Sequence, residues 1–388
     1  MSQGRMASTR SHYVTSTLSG ESVRAFIPPP LPPSPKALDL TSLQAILAEA
    51  NQAVGRLDGM TSALPDLKLF LYSYVRKEAV LSSQIEGTQS SLSDLLLYEN
   101  AEVPGVPLDD VQEVSNYVAA LNHGLERIRG GFPLSLRLIR EIHEVLLQKG
   151  RGSHAQPGHF RKSQNWIGGS RPGNAAYVPP PPEYVLECMG QLETFLHQDA
   201  ATLPLLVRAG LIHAQFESIH PFLDGNGRVG RLLITFMLCA EEVLREPVLY
   251  LSLFFKRHRR LYYDRLNGTR GSNGWTEWLD FFLQGVRDTA NQAAQMARSI
   301  DKLFQADKEK IERLGRGAAS ALLIYRYAQA NPLFSIRNAA REMKMTFPTA
   351  SSAVARMTEA GILRESSGKR RGRLFLYESY LDILNRES

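Results

Sequence analysis

The stretch HPFLDGNGRVGR, His220 to Arg231, separates two apolar helical patterns, LPLLVRAGLIHAQFESI (203–219) and RLLITFMLCAEEVL (231–244). Neither a helical nor a strand period runs through it, so it reads as a loop leading into a helix. Gly225, Asn226 and Gly227 stand just before that helix start, where converging backbone N–H groups and the helix dipole favour an anion. Glycines there let the backbone approach a phosphate closely. Arg228 and Arg231, three residues apart, present two guanidinium forks from one face of the first turns. Asp224 offers a hard oxygen suited to Mg²⁺. His220, with an ordinary pKa of about 6.5, suits removal of a proton from a hydroxyl near neutral pH. Base, metal ligand, anion nest and cationic clamp are the parts needed for attack on a nucleotide phosphate.

Outward from this loop the chain is mainly helical. Helical periodicity covers LQAILAEANQAVGRLDG (43–59), LFLYSYVRKEAVLSSQIEG (69–87), SLSDLLLYEN (91–100), DDVQEVSNYVAALNHGLERI (109–128), LSLRLIREIHEVLL (134–147) and EYVLECMGQLETFL (183–196). Gly59, Gly87 and Pro104–Pro107 punctuate these patterns. Between 151 and 182, HFRKSQNWIGG and AAYVPPPP are β-type runs around SRPGN and predict a short hairpin. Residues 1–40, polar and then proline-rich (IPPPLPPSP), are expected to run extended over the surface. The last segment changes character. LLIYRYAQA, SIRNAAREM and TFPTASSAVARMTEAG read as three short helices, and ILRESSGKRRGRLFLYE as two strands around a basic turn. That order predicts a winged helix-turn-helix. The expected divisions are 1–40, a helical region 41–122, a core 123–312 and the C-terminal module 313–388.

Bulk properties exclude several classes. The 388 residues, 43% hydrophobic and 22% charged, have the balance of a globular protein with more than one domain. No apolar run is long enough to span a membrane, and no apolar stretch follows Arg5 and Arg10 as a secretory leader would require. Two cysteines, Cys188 and Cys239, make a disulfide framework unexpected and fit a reducing cytoplasm. A net charge of +6 permits polyanion contact without deciding it.

Gly225-x-Gly227-x-x-Gly230 matches a dinucleotide-binding fingerprint literally, but no strand precedes it and no βαβ unit surrounds it. No Walker A loop is present. HPFLDGNGRVGR instead resembles the Fic family signature HPFxxGNGRxxR, with every specified position matched. PGHFRKSQNWIGG…AYVPPPP resembles that family's flap, and the resemblance extends over roughly residues 20–310. It implies a Fic-type helical fold and a protein adenylyltransferase using ATP and Mg²⁺. His220 would be the base, and Asp224 the metal ligand. Gly225, Asn226 and Gly227 would bind phosphates, Arg228 and Arg231 would clamp the β and γ phosphates, and Tyr263 would contact the nucleoside. The partner would be a target protein bearing a Ser, Thr or Tyr hydroxyl, laid along the flap by strand addition. Doc-type relatives carry lysine where this chain has Gly227. Upstream, Ser82-Ser83-Gln84-Ile85-Glu86-Gly87 resembles the family's inhibitory motif, with Glu86 placed to make a two-pronged pair with Arg231.

Alternatives stay open beside this reading. Arg356 and Lys369–Arg373 could contact DNA phosphates, making residues 313–388 the business end of a DNA-binding regulator with the Fic domain as nucleotide sensor. Glu86 could serve removal of AMP, and the relatives' pairing habit allows a homodimer. His143, His197, His213 and His258 read as core or surface histidines rather than further catalytic groups, and Trp275, Trp278, Phe281 and Phe282 as core.

Overall fold

The computed structural model describes residues 12–18, 20–62, 67–99, 106–198, 203–271, 274–366 and 372–385. Strands β1 (His12–Leu18) and β2 (Glu21–Ile27) precede helices α1 (Gln44–Ser62), α2 (Leu67–Ile85), α3 (Leu92–Glu99), α4 (Leu108–Arg129) and α5 (Leu136–Leu146). After an irregular segment come α6 (Pro182–Leu196), α7 (Leu205–Ile219), α8 (Asn226–Ala240), α9 (Ser252–Arg257) and α10 (Arg259–Gly268). The long α11 (Trp275–Glu312) leads into α12 (Ala318–Ala330), β3 (Leu333–Ser335), α13 (Ile336–Glu342), α14 (Phe347–Glu359), β4 (Arg364–Glu365), β5 (Leu374–Leu376) and α15 (Glu378–Asn385). None of the described helices is long and apolar enough to cross a membrane.

The centre is the pair α7–α8. Every residue from Leu206 to Ile219 is buried, polar ones included, so α7 has no solvent face. A helix buried on every side belongs inside the fold, and α6, α8, α10 and α11 pack against it. Local signals set the ends. Ser135 caps α5 by accepting from the Leu138 N–H, Pro182 opens α6 where its missing N–H costs nothing, and Thr346 caps α14. Helix α1 lies along α11 and continues through Gly59, since packing on a partner helix outweighs the roughly 1 kcal/mol propensity penalty of one glycine.

Two segments differ from the sequence reading. The N-terminal segment does more than run extended: β1 and β2 pair antiparallel from His12↔Ile27 to Leu18↔Glu21. Val23, Ala25, Phe26 and Ile27 are buried by this hairpin, and Phe26 N–H donates to the Val178 carbonyl at 2.9 Å. The flap hairpin is slighter than expected: one antiparallel bridge, Ile167↔Tyr177, with a 3₁₀ turn at Pro172–Asn174. Consecutive prolines 179–182 remove the N–H groups a longer ladder would need.

The C-terminal elements order their strands β3-β5-β4, all antiparallel. They pack on α11 and α2, where buried Asp307 accepts from the Tyr377 hydroxyl at 2.7 Å. Pro104 and the basic turn Lys369–Arg371 lie outside the described residues.

Candidate active site

His220 caps the C-terminus of α7 with left-handed backbone, φ 49 and ψ 60, unusual for a residue with a Cβ. The chain turns back there, and Gly225, with φ 79, begins α8 without any side-chain cap. The first N–H groups of α8 are therefore open to an anion. Asn226 does not point at that space. Its Oδ1 accepts from the Phe222 N–H at 2.8 Å and its Nδ2 donates to the Phe222 carbonyl at 2.9 Å, stapling the loop. Phe222 is fully buried and stacks on His143 at 3.6 Å between ring centroids. His143 Nδ1 accepts from the Gly158 N–H at 2.9 Å, so Nε2 carries the proton and donates to the Asp224 carbonyl at 3.0 Å. That neutral tautomer agrees with a pKa pushed down to about 4, chiefly by burial. The structural reading of His143 holds, and so does that of His213, which lies buried between the Gly230 carbonyl and the Tyr262 hydroxyl.

Arg161 meets His220 from the flap side. Its Nε donates to the His220 carbonyl at 2.9 Å, its Nη2 to the Pro180 carbonyl at 2.5 Å, and its Nη1 to the Ser163 carbonyl at 3.3 Å. Burial first, and then the charge of Arg161, pushes the His220 pKa down to about 4. The imidazole is thus neutral at ordinary pH, and its Nδ1 is buried with no hydrogen-bond partner among the described residues.

The two motif arginines part company. Arg228 is buried and donates to Glu113 and to Asp224, at 3.2 Å each. Arg231 turns toward α2: Nε donates to the Ser82 hydroxyl at 2.8 Å, and Nη2 to the Ser82 carbonyl at 2.9 Å and Glu86 Oε1 at 2.7 Å. The Arg231–Glu86 contact runs through one carboxylate oxygen, not the two-pronged pair expected, because Ser82 takes the Nε donor and shares Nη2 with Glu86. Burial alone would lower the Arg231 pKa, and the facing carboxylates of Glu86 and Glu217 raise it instead. Glu86 also lies over Gly227, where an added Cβ would fall on Glu86 Oε1. A side chain at 227 and this placement of Glu86 exclude each other.

Besides Arg161, sequence reading missed three acidic residues here. Glu113 reaches Arg228 across 115 positions. Glu78, hydrogen-bonded by Tyr117 and Ser252, and Glu217 are both buried near Arg231, and burial pushes each carboxyl up to about 7. Tyr263 is half-buried on α10 against Tyr262, at 5.1 Å between ring centroids. Asp224 is half-exposed, and its Oδ1 accepts from the Gly225 N–H at 2.6 Å. Among the described residues no three His, Cys, Asp or Glu side chains converge on one metal position. A single exposed carboxylate still fits Mg²⁺, which is commonly held by one or two carboxylates plus phosphates and water.

Among the described residues of the C-terminal elements, three arginines are paired with carboxylates. Arg364 pairs with Glu378 at 2.8 Å, and Arg341 with Glu342 and Arg373 with Glu365 at 3.3 Å each. The Arg356 guanidinium lies against Gly317 and is partly buried.

Residues 44–126 match the Fic/DOC family N-terminal model, and residues 133–238 the Fic/DOC family model. A protein adenylyltransferase Fic of Aedes aegypti is 32% identical over 186 residues, 47% of this chain and 34% of the relative. One of Drosophila yakuba is 29% identical over 245 residues, 60% of this chain and 45% of the relative. The chain spans between a third and a half of the length of these curated relatives. A Fic family protein from Desulfovibrio desulfuricans G20 superposes with a TM-score of 0.56 at 20% identity, covering 90% of this chain and 98% of that one. A Fic domain containing signaling protein from Bacteroides thetaiotaomicron gives 0.54 at 20% identity, covering 66% and 97%. These two likenesses concern the fold.

Proposed function

The chain belongs to the Fic/DOC family, and from that premise we propose that it transfers AMP from ATP to a Ser, Thr or Tyr hydroxyl of a target protein. One observation carries the reading: His220, its pKa pushed down to about 4 and its ring therefore neutral, stands across a tight loop from the uncapped start of α8. His220 takes the proton of the target hydroxyl. The oxygen forms a bond to the α-phosphorus, the bond from that phosphorus to the bridging oxygen breaks, and pyrophosphate leaves. The N–H groups at Asn226, Gly227 and Arg228 receive phosphate oxygens. Arg231, once free of Glu86, neutralises the γ-phosphate, and Tyr263 borders the nucleoside. Asp224, oriented by Arg228, would hold Mg²⁺, whose chemistry is to offset phosphate charge. Ser82 and Glu86 act as a built-in inhibitor by occupying Arg231.

The placement of Glu86 over Gly227 favours a second activity at the same site, hydrolytic removal of AMP with Glu86 orienting water. Residues 313–388 we take as a winged helix-turn-helix, which the order β3-β5-β4 with α12–α14 supports. Arg341, Arg364 and Arg373 each pair with a carboxylate of the module itself, which supports a docking role for these positions, with DNA binding as the alternative reading.

The test uses α-³²P-labelled ATP and Mg²⁺ with the parent protein, Glu86→Gly, and Glu86→Gly combined with His220→Ala, each supplied with cell extract. Label on protein in the Glu86→Gly reaction that disappears in the double variant is the expected outcome. Absence of label throughout would overturn AMP transfer.

A further inference from the structure

On the flap side of His220, away from the phosphate nest, a cleft of about 540 Å³ opens between β1–β2, the flap and the end of α10. Arg24 and Arg270 are the charged residues of its lining, beside Ser22 and Asn267, and among the described residues no carboxylate lines it. The Arg270 guanidinium lies 3.2 Å from the centroid of the Tyr177 ring, and that of Arg24 lies 4.6 Å from the centroid of the Tyr13 ring. Both cations are thus held by aromatic faces, which orient them without neutralising them. Arg270 Nη1 donates to Asn267 Oδ1 at 2.5 Å, while its Nε is buried with no hydrogen-bond partner among the described residues. Glu21, the nearest acidic residue on the hairpin, is held by Arg171 at 2.6 Å.

The cleft is tied to the catalytic loop. Tyr177, beneath Arg270, donates from its hydroxyl to the Ser218 carbonyl at 2.5 Å, two residues before His220. Its far wall is β2, fastened to the flap by the Phe26–Val178 hydrogen bond. Glu217 faces Arg270 from behind, but burial pushes that carboxyl up to about 7 and it does not line the cleft. Two oriented cations in a lining without a carboxylate, on the flap side of the incoming hydroxyl, select for negative charge on the molecule that brings it.

We propose that this cleft is a specificity subsite for an acidic target segment, in which Arg24 and Arg270 receive an Asp or Glu carboxylate a few residues from the acceptor hydroxyl. The inference rests on the AMP-transfer reading. Nucleotide phosphates are served at the α8 N-terminus, so the occupant here is the protein substrate.

A peptide library with a fixed Tyr, Ser or Thr acceptor and Asp, Glu, Lys or Arg varied at the flanking positions tests it, with the full-length Glu86→Gly protein and labelled ATP. Acidic peptides are expected to be labelled about fivefold over basic ones, the upper end for a solvent-exposed ion pair. Arg24→Glu, on an exposed strand position where folding is not at stake, should erase or invert that preference, and Arg270→Glu should do so more strongly. Labelling without acidic preference, or a preference unchanged by Arg24→Glu and Arg270→Glu, overturns the subsite and leaves AMP transfer standing. No label on any peptide or extract protein overturns both.

Discussion

The Nε of Arg161 donates to the carbonyl oxygen of His220 at 2.9 Å, while the same side chain holds the flap through Pro180 and Ser163. One buried guanidinium therefore fixes both the left-handed turn that presents the imidazole and the spacing of the segment beside it. Loss of this side chain strands buried carbonyls, each at a cost of about 1–3 kcal/mol. Arg161→Ala is expected to lower kcat and raise the KM for target together, with the KM for ATP changing less. Arg161→Lys, which keeps charge but not the fork, should recover part of kcat. A change in the KM for ATP alone would contradict this positioning role.

The pH dependence has a definite sign. His220 titrates near 4, lowered by burial and then by Arg161, with Arg270 acting in the same direction and Glu86 against it. Activity governed by this group should stay level from pH 8 to about pH 6 and fall only as pH nears 4. Arg161→Ala removes a cation, raises the His220 pKa, and should move the acid limb upward in a pH–rate profile.

Stability should follow a partly cancelling pattern. His143, His213 and His220 have lowered pKa values in the folded chain, about 4, 3 and 4, so the unfolded chain binds more protons below pH 6.5. Their burial thus costs stability as pH falls from 6.5 toward 4. Glu78 and Glu217, raised to about 7, work in reverse: the folded chain binds the extra proton, and stability is lost as pH rises from about 4.5 to 7. Each group changes the slope by about 1.4 kcal/mol per pH unit. Glu217→Gln removes one opposing group, and its urea midpoint should fall more steeply than the parent's between pH 6.5 and 4.5.

What could be read beforehand follows from the range of each interaction. The helices announced themselves because α1 to α6 carry their own 3.6-residue apolar stripe and α7 and α8 are long apolar runs, and the loop 220–231 because glycine and charge interrupt those runs. The hairpin 12–27 also had a local signal, alternating Val14, Ser16, Leu18 and Val23, Ala25, Ile27 around Gly20, which the following prolines overshadowed. Glu113 and Arg161 had none. Their partners, Arg228 and the carbonyl of His220, lie 115 and 59 residues away, and only packing of α4 and the flap against α8 and the end of α7 brings them together. Arg228 and Arg231 looked equivalent on a helix face, yet opposite neighbours, Glu113 and Ser82 with Glu86, draw them apart.

Because Ser82 supplies two of the acceptors that hold Arg231, its hydroxyl should act as a minor part of the same latch. Glu86→Gly removes a charge-assisted bond of about 1.5–3 kcal/mol, so AMP transfer is expected to rise tenfold to a hundredfold. Ser82→Ala removes a neutral hydroxyl and should raise transfer only severalfold. Combined, the two should fall short of the product of the single effects, since both act through one guanidinium. Full multiplicativity in labelled-ATP initial rates would show that Ser82 acts elsewhere.

Glu113 gives the sharpest test of how the loop is supported from beneath. Arg228 is buried against it and reaches Asp224 with the same guanidinium. Removing one member of a buried ion pair leaves an uncompensated charge, at about 3–5 kcal/mol. Glu113→Ala should therefore lower Tm by several degrees. Glu113→Gln, which keeps a hydrogen-bond acceptor, should lose less. In either variant Arg228 has only Asp224 left as a carboxylate partner and competes harder for it, so the Mg²⁺ concentration for half-maximal transfer should increase, with saturating Mg²⁺ restoring much of the rate. A fall in Tm with an unchanged Mg²⁺ requirement would mean that Glu113 supports the fold but not Asp224.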